Sequence, residues 1–193
     1  MPRALTEQEK TRQSGKLLEK GKAIVLSQGV KKISIDEIAK AAGMAKGSFY
    51  HHFESKEAYL YEVMTIIHNQ IFKQAEKIIK ADGGDLQANM RSFLLNLFHM
   101  PEMIFFTRHY HDVEDLLSAT ESHKEQSSNR VQGILESLLI MAGIDTKKVK
   151  SGVVSNYLHA MYLLIGSDMM VADDLSETLE CLMESLVSYI FKS

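Results

Sequence analysis

One short stretch constrains this chain more than any other. Residues 33–56 carry, in order, a helix start signal, a turn signal, a second short helix and the cap of a third. Ser34 and Glu37 have the S-x-x-E spacing of a capping box, in which each side chain accepts a hydrogen bond from the other's backbone N–H. Ile33 before the cap and Ile38 after it are placed as a hydrophobic staple. Ile35, Ile38, Ala39 and Ala42 form an apolar stripe at helical spacing. Gly43 can then take the positive φ of a tight turn. A short helix over about 46–52 is predicted next, with Phe49 pointing inward. Ser55 caps a long helix from Lys56 to about Lys80, whose apolar positions Tyr59, Val63, Met64, Ile67, Ile71, Ala75 and Ile78 continue for about 37 Å.

The remaining sequence is helical in pattern as well. Pro2 and Pro101 are its two prolines, and no alternating apolar–polar run marks a sheet. A first helix is expected over 7–28, with Leu17, Leu18, Ala23, Ile24 and Val25 inward and Gly29 as its stop. After the break at 81–84, Asp85 can cap a helix. Helices are expected near 86–99, 102–118, 122–142, 147–166 and 175–191, with Pro101 between the first two and Gly143 after the third. Lys147 and Lys148 would sit unfavourably at a positive helix N-terminus. The fold class is therefore all-α: a three-helix head over 1–55, joined by a long helix to a helical body over 56–193.

Composition narrows the function classes. No apolar run approaches the roughly 18 residues needed to span a bilayer, and the amino terminus has no signal-peptide core. Cys181 is the single cysteine of the 193 residues, which excludes an internal disulfide. A soluble cytoplasmic protein without membrane contact is expected. The net charge of −3 is unevenly spread. Residues 1–60 hold eleven lysines and arginines against seven carboxylates, a net +4, and the rest carries −7. A basic head on an acidic body suits a protein that docks one end on phosphates.

The segment after Gly43 has the features a DNA-reading helix needs. The major groove is about 12 Å wide and admits one helix. Lys46, Gly47 and Ser48 give that helix a small leading end, and Tyr50 and His51 share its exposed side. Tyr50 can reach a phosphate, and His51 a phosphate or a base edge. Lys56 adds a charge beside the free N–H groups of the long helix. Residues Ser34 to Glu57 resemble the signature of the TetR family of regulators almost position for position, and the resemblance covers about residues 10–62. It implies an all-helical homodimer that binds a palindromic double-stranded DNA operator, usually as a repressor, and is released by a small molecule held in the body. By the same resemblance Lys46, Gly47, Ser48, Tyr50, His51 and Lys56 touch DNA, and Ser34 touches a phosphate. Two positions depart from the pattern. Ala45 stands where the family commonly has serine, which forgoes a side-chain cap worth about 0.5–2 kcal/mol. Val25 replaces a frequent aromatic residue, a packing variation.

In the body, Leu175, Leu179, Leu182, Leu186 and Tyr189 form a narrow seam spaced 4, 3, 4 and 3. The preceding helix, with Leu158, Met161 and Ile165, is apolar nearly all round and needs cover on two sides. These two helices are predicted to form a four-helix dimer interface, a monomeric core being the simpler alternative. Met90, Phe93, Leu97, Met103, Phe106, Tyr110, His159 and Tyr162 are candidate ligand-binding residues, although methionines and aromatics at helical spacing also make ordinary core. His109 and His111 invite a metal reading, but they point about 200° apart on one helix and cannot share a tetrahedral ion. Cys181 adjoins the apolar seam and reads as packing. No metal, cofactor or enzymatic activity is expected, since no nucleophile–base–acid set or cofactor loop is present. The alternative to a ligand-released repressor is a ligand-independent regulator or an activator of the same family.

Overall fold

The computed structural model describes residues 6–81, 84–97, 99–118, 121–166 and 171–191; for residues 110, 117, 121–128 and 172 the backbone alone is described. Among the described residues there are ten α-helices and no strand, and most helix ends have a local cause. Helix α1 (Glu7–Gln28) starts at a complete capping box: Thr6 Oγ1 accepts from the Glu9 N–H (3.2 Å) and Glu9 Oε2 accepts from the Thr6 N–H (2.8 Å). It stops at Gly29, whose φ is 83°.

Helix α2 (Ile35–Ala41) has only half of the capping box expected for it. Ser34 Oγ accepts from the Glu37 N–H at 3.1 Å, but Glu37 Oε1 instead accepts from Gln28 Nε2 at 2.7 Å. The carboxylate thus ties the end of α1 to the start of α2. Helix α3 (Lys46–Phe49) is a single turn. Ser55 Oγ accepts from the Ala58 N–H (3.0 Å) to open the long α4 (Lys56–Ile79). Asp85 Oδ1 does the same for α5 (Leu86–Leu97), accepting from the Gln87 and Ala88 N–H groups.

Two boundaries differ from the sequence reading. The single helix expected over 102–118 is broken into α6 (Pro101–Arg108) and α7 (Tyr110–Ser118), because His109, at φ −117° and ψ 26°, leaves helical geometry. Helix α8 (Glu121–Met141) is followed by Gly143 at φ 73°, and α9 (Ser151–Ile165) begins four residues later than expected. Asp145 closes a separate turn, with its side chain accepting from the Lys147 N–H and its carbonyl from the Lys148 and Val149 N–H groups. Lys147 and Lys148 are thereby kept off the positive end of α9. A 3-10 turn (Ala172–Asp174) leads into α10 (Leu175–Phe191). No described helix is long and apolar enough to cross a membrane.

The chain forms two compact units, one of residues 6–69 with 111–116, the other of 70–110 with 117–191. The division falls inside α4, beyond the 55/56 boundary read from the sequence, because Tyr59, Val63 and Ile67 of α4 are fully buried with Leu17, Val25, Ile38 and Phe49 in the first unit. Phe49, Phe53 and Tyr59 cluster there with ring centroids 4.9–5.3 Å apart. The Tyr59 hydroxyl donates to the Leu17 carbonyl of α1 (2.8 Å). Gly21, one turn further along α1, makes room for that ring: a Cβ there would lie 1.4 Å from Tyr59 Oη. Lys31, just past α1, pairs with Asp112 of α7 at 2.6 Å. In the second unit α8 packs on α9, α9 on α10 and α10 on α5. Arg91 of α5 pairs with Glu184 of α10, and the Tyr162 hydroxyl of α9 donates to the Phe106 carbonyl of α6.

Candidate DNA interface and buried cavity

The α2–turn–α3 segment is held from below by buried side chains. Gly43 sits at φ 70°, and the N–H groups of Gly43 and Met44 bond back to the carbonyls of Lys40 and Ala39 (3.0 and 2.8 Å), closing α2. Phe49 is fully buried and Phe53 nearly so, which pins the turn of α3 to the core. Around that anchor Lys46, Gly47, Tyr50 and His51 are exposed, while Ser48 is half-buried. Tyr50 is 52% exposed although it is aromatic. Gly47 is the more telling position: a Cβ there would meet no atom of the chain within 4 Å. Glycine is less favourable than alanine in a helix, and nothing among the described residues requires it. Lys56 is half-buried at the start of α4, and Ser34 is exposed with a hydroxyl that can still donate.

Several features of this surface are absent from the sequence reading. Helix α3 ends at Phe49 rather than near 52, and His51 and His52 continue as turns bonded to Ser48 and Phe49. Ala45, as its residue type predicts, makes no side-chain cap. Lys46 Nζ lies 3.1 Å from Asp36 Oδ2 of α2, so a carboxylate already competes for its charge. His52 Nε2 lies 3.0 Å from Gln13 Oε1 of α1. Burial holds the His52 pKa below its ordinary value, assisted by the charges of His51 and Lys10, which favours the neutral ring with Nε2–H donating to Gln13.

The second unit holds a partly open cavity of about 90 Å³. Its wall is made of apolar residues of α4, α5, α8, α9 and α10, together with Ala142 just past α8. Of the candidate ligand-binding residues, Met90, Phe93 and Leu97 line it. Met103, Phe106, His159 and Tyr162 are not in its wall; Phe106 is buried core and His159 is exposed on α9. The Tyr110 side chain lies outside the described residues. Two residues assigned to a dimer seam, Leu158 and Leu186, are also in the wall.

Residues 17–63 match the family described as bacterial regulatory proteins, tetR family. Over 82 residues the chain is 46% identical to the HTH-type transcriptional repressor DhaR of Mycobacterium sp. (strain GP1), which covers 42% of this chain and 39% of that protein. Over 78 residues it is 31% identical to the HTH-type transcriptional repressor KstR2 of Rhodococcus jostii (strain RHA1), covering 40% and 38%. The whole chain resembles the crystal structure of a TetR-family transcriptional regulator from Pectobacterium atrosepticum, at TM-score 0.61, 16% identity and 97% and 96% coverage. It also resembles the reduced form of E. coli NemR, at TM-score 0.57, 18% identity and 93% and 96% coverage. Residues 17–63 are thus a tetR-family regulatory region.

The sequence likeness of this chain to its curated relatives spans about two fifths of their length, whereas the likeness to solved structures carries the fold of nearly the whole chain. The matched stretch takes in α2, α3 and the start of α4 with all seven candidate DNA-contacting residues. Beyond it, Met161 and Leu186 are fully buried within the chain and have no surface for a partner, while Leu158, Ile165, Leu175, Leu179 and Leu182 are half-buried. The outer face of α9 is instead Asn156, Ala160 and Leu163, and α9 has no lysine, arginine, aspartate or glutamate. Cys181, Ser185 and Ser188 form an exposed row on α10. Periodicity finds the apolar side of each helix, but not which apolar residues the chain itself covers.

Proposed function

We propose that this protein is a cytoplasmic transcriptional repressor of the TetR family that binds a palindromic operator as a homodimer and is released by a small molecule held in its second unit. The observation that carries the reading is the surface of α3, where Gly47, Tyr50 and His51 are exposed around a buried Phe49 and Gly47 has no evident task inside the fold. Glycine at position 47 lets the backbone approach the major groove closely. Lys46, Tyr50, Lys56 and Ser34 take phosphates, while Ser48 and His51 are within the region that faces base edges. A phosphate also satisfies the N–H groups that Ala45 leaves uncapped. Two-fold symmetry sets two such surfaces one DNA turn apart, about 34–36 Å, which is why a palindrome is the matching target.

The outer face of α9, which has no lysine, arginine, aspartate or glutamate, supports the dimer, with Leu163 at its centre rather than the buried Leu186. A ligand releases the operator only if it binds the DNA-incompetent conformation more tightly. The decisive experiment is selection of binding sites from random double-stranded DNA, followed by gel shifts with the native chain and Gly47→Ala. The expected result is a two-fold symmetric consensus, binding that weakens steeply with salt, and a variant that is as stable as the native chain or more so, yet binds worse. No enriched sequence, or full binding by Gly47→Ala, would overturn the assignment of this surface.

A further inference from the structure

Two features of the second unit take no part in DNA contact. The first is the cavity, whose wall includes Ile71, Met90, Phe93, Leu138 and Leu158 and contributes apolar side chains only. Such a wall favours hydrocarbon and offers nothing to hold a polar group. The second is Arg130 of α8. Its Nε and Nη1 atoms are buried and have no hydrogen-bond partner among the described residues. A guanidinium keeps its charge at any physiological pH and carries five donors. Leaving it buried and unpaired is among the costlier arrangements a fold can hold. Unsatisfied buried groups of this kind in native structures call for an explanation, of which an ion, a water or a ligand is the usual one.

The two features share one side of one helix. Arg130, Ile134 and Leu138 follow each other at i, i+4 and i+8, a single row on α8. Leu138 is in the cavity wall, so the Arg130 backbone stands two turns before it, about 12 Å along the helix axis. A hydrocarbon pocket and an unpaired cation in such a row match an amphipathic anion. A guanidinium fork fits a carboxylate with two parallel bonds, and one positive charge balances a monoanion. We propose that the second unit binds an aliphatic carboxylate, with its hydrocarbon tail in the apolar cavity and its carboxylate on Arg130. The proposal rests on the reading of this unit as the ligand-binding one and names its ligand class.

Calorimetric titration of the full chain with sodium hexanoate, octanoate, decanoate and dodecanoate, each against the n-alkanol of equal length, tests it. Affinity in both series is expected to rise about fourfold per methylene. Each carboxylate should bind about 10- to 100-fold tighter than its alcohol. Arg130→Met, which keeps an apolar stem and removes the charge, should raise the unfolding temperature of the ligand-free chain, abolish the carboxylate preference and leave alkanol binding in place. Ala142→Leu, at the cavity wall, should weaken both series. Equal binding of acids and alcohols by the native chain, or a preference that survives Arg130→Met, overturns the role of Arg130 and leaves the cavity reading standing. Failure of both series to bind overturns the cavity reading as well. If Arg130→Met does not fold, the acid–alcohol comparison on the native chain still decides.

Discussion

Replacing Gly21 by alanine sets two physical effects against each other in one helix, and the structure says which wins. Gly21 is buried in α1, and an added Cβ would fall 1.4 Å from Tyr59 Oη and 2.6 Å from Tyr59 Cζ. The ring has nowhere to retreat, because it is fully buried and packs edge-on to Phe49 and Phe53. Moving it breaks the hydroxyl bond to the Leu17 carbonyl. Forcing extra bulk into a packed core costs about 1–3 kcal/mol, and a buried hydroxyl left without a partner about 1–3 kcal/mol. Against these stands the helix preference for alanine over glycine, about 1 kcal/mol. The net is a loss of about 3 kcal/mol, or about 6–12 °C in melting temperature at this chain length. Gly15→Ala is the control, since Gly15 lies in the same helix with no atom within 4 Å of its added Cβ; it should gain up to about 1 kcal/mol. Thermal and urea unfolding followed by far-UV circular dichroism read both variants. If Gly21→Ala melts at or above the native temperature, the clamp between α1 and α4 is not what holds this unit. Adding Tyr59→Leu to Gly21→Ala should cost less than the two single losses together, as expected for residues in contact.

Three further outcomes follow from the same surfaces. Asp36→Asn removes the carboxylate that holds Lys46, and gel shifts at low salt should show DNA binding about 1.5- to 5-fold tighter, the gain fading as salt rises; weaker binding would place Asp36 itself against DNA. His52 is held below its ordinary pKa of 6.5, so the unfolded chain takes up a proton there before the folded one does. Stability should be level above about pH 7 and fall as pH drops through 6.5, until the folded ring also protonates; urea midpoints of His52→Gln that decline equally would refute this. Leu163→Glu, on the 47% exposed Leu163 side chain, should halve the sedimenting mass without lowering helicity, whereas an unchanged mass would remove α9 from the dimer.

The parts of the fold legible in the sequence are those with local causes. The apolar stripe of α2, the positive φ of Gly43 and the cap at Ser55 act within a few residues, and each is where its residues place it. The Thr6 capping box was equally readable, since Thr6 and Glu9 have the same spacing as Ser34 and Glu37. What pattern does not reveal is competition from distant groups. Glu37 leaves its own cap for Gln28, and Lys46 is taken by Asp36. The break at His109 has no proline or glycine to announce it. The fit of Gly21 to Tyr59 joins residues 38 apart in the chain; periodicity marks Tyr59 as inward-facing and stops there. At the candidate interface the exposed residues were legible because the aromatic anchors Phe49 and Phe53 leave their neighbours outside. In the second unit most candidate positions are apolar, and pattern alone cannot sort wall, core and outer face.

The first unit has a further consequence for how such proteins can be recombined. It is not one continuous piece of chain: residues 111–116 of α7 belong to it, with Val113 buried to 4% exposure and Asp112 paired to Lys31. A gene fragment ending after Asn69 would encode a head with a missing patch, and a chimera made with one crossover in α4 would join it to a foreign patch. Exchange of DNA specificity between relatives therefore needs either two crossovers or a compatible α7. A change of residues in the contiguous part of the unit is in this way felt by a short segment more than forty residues downstream of its last residue.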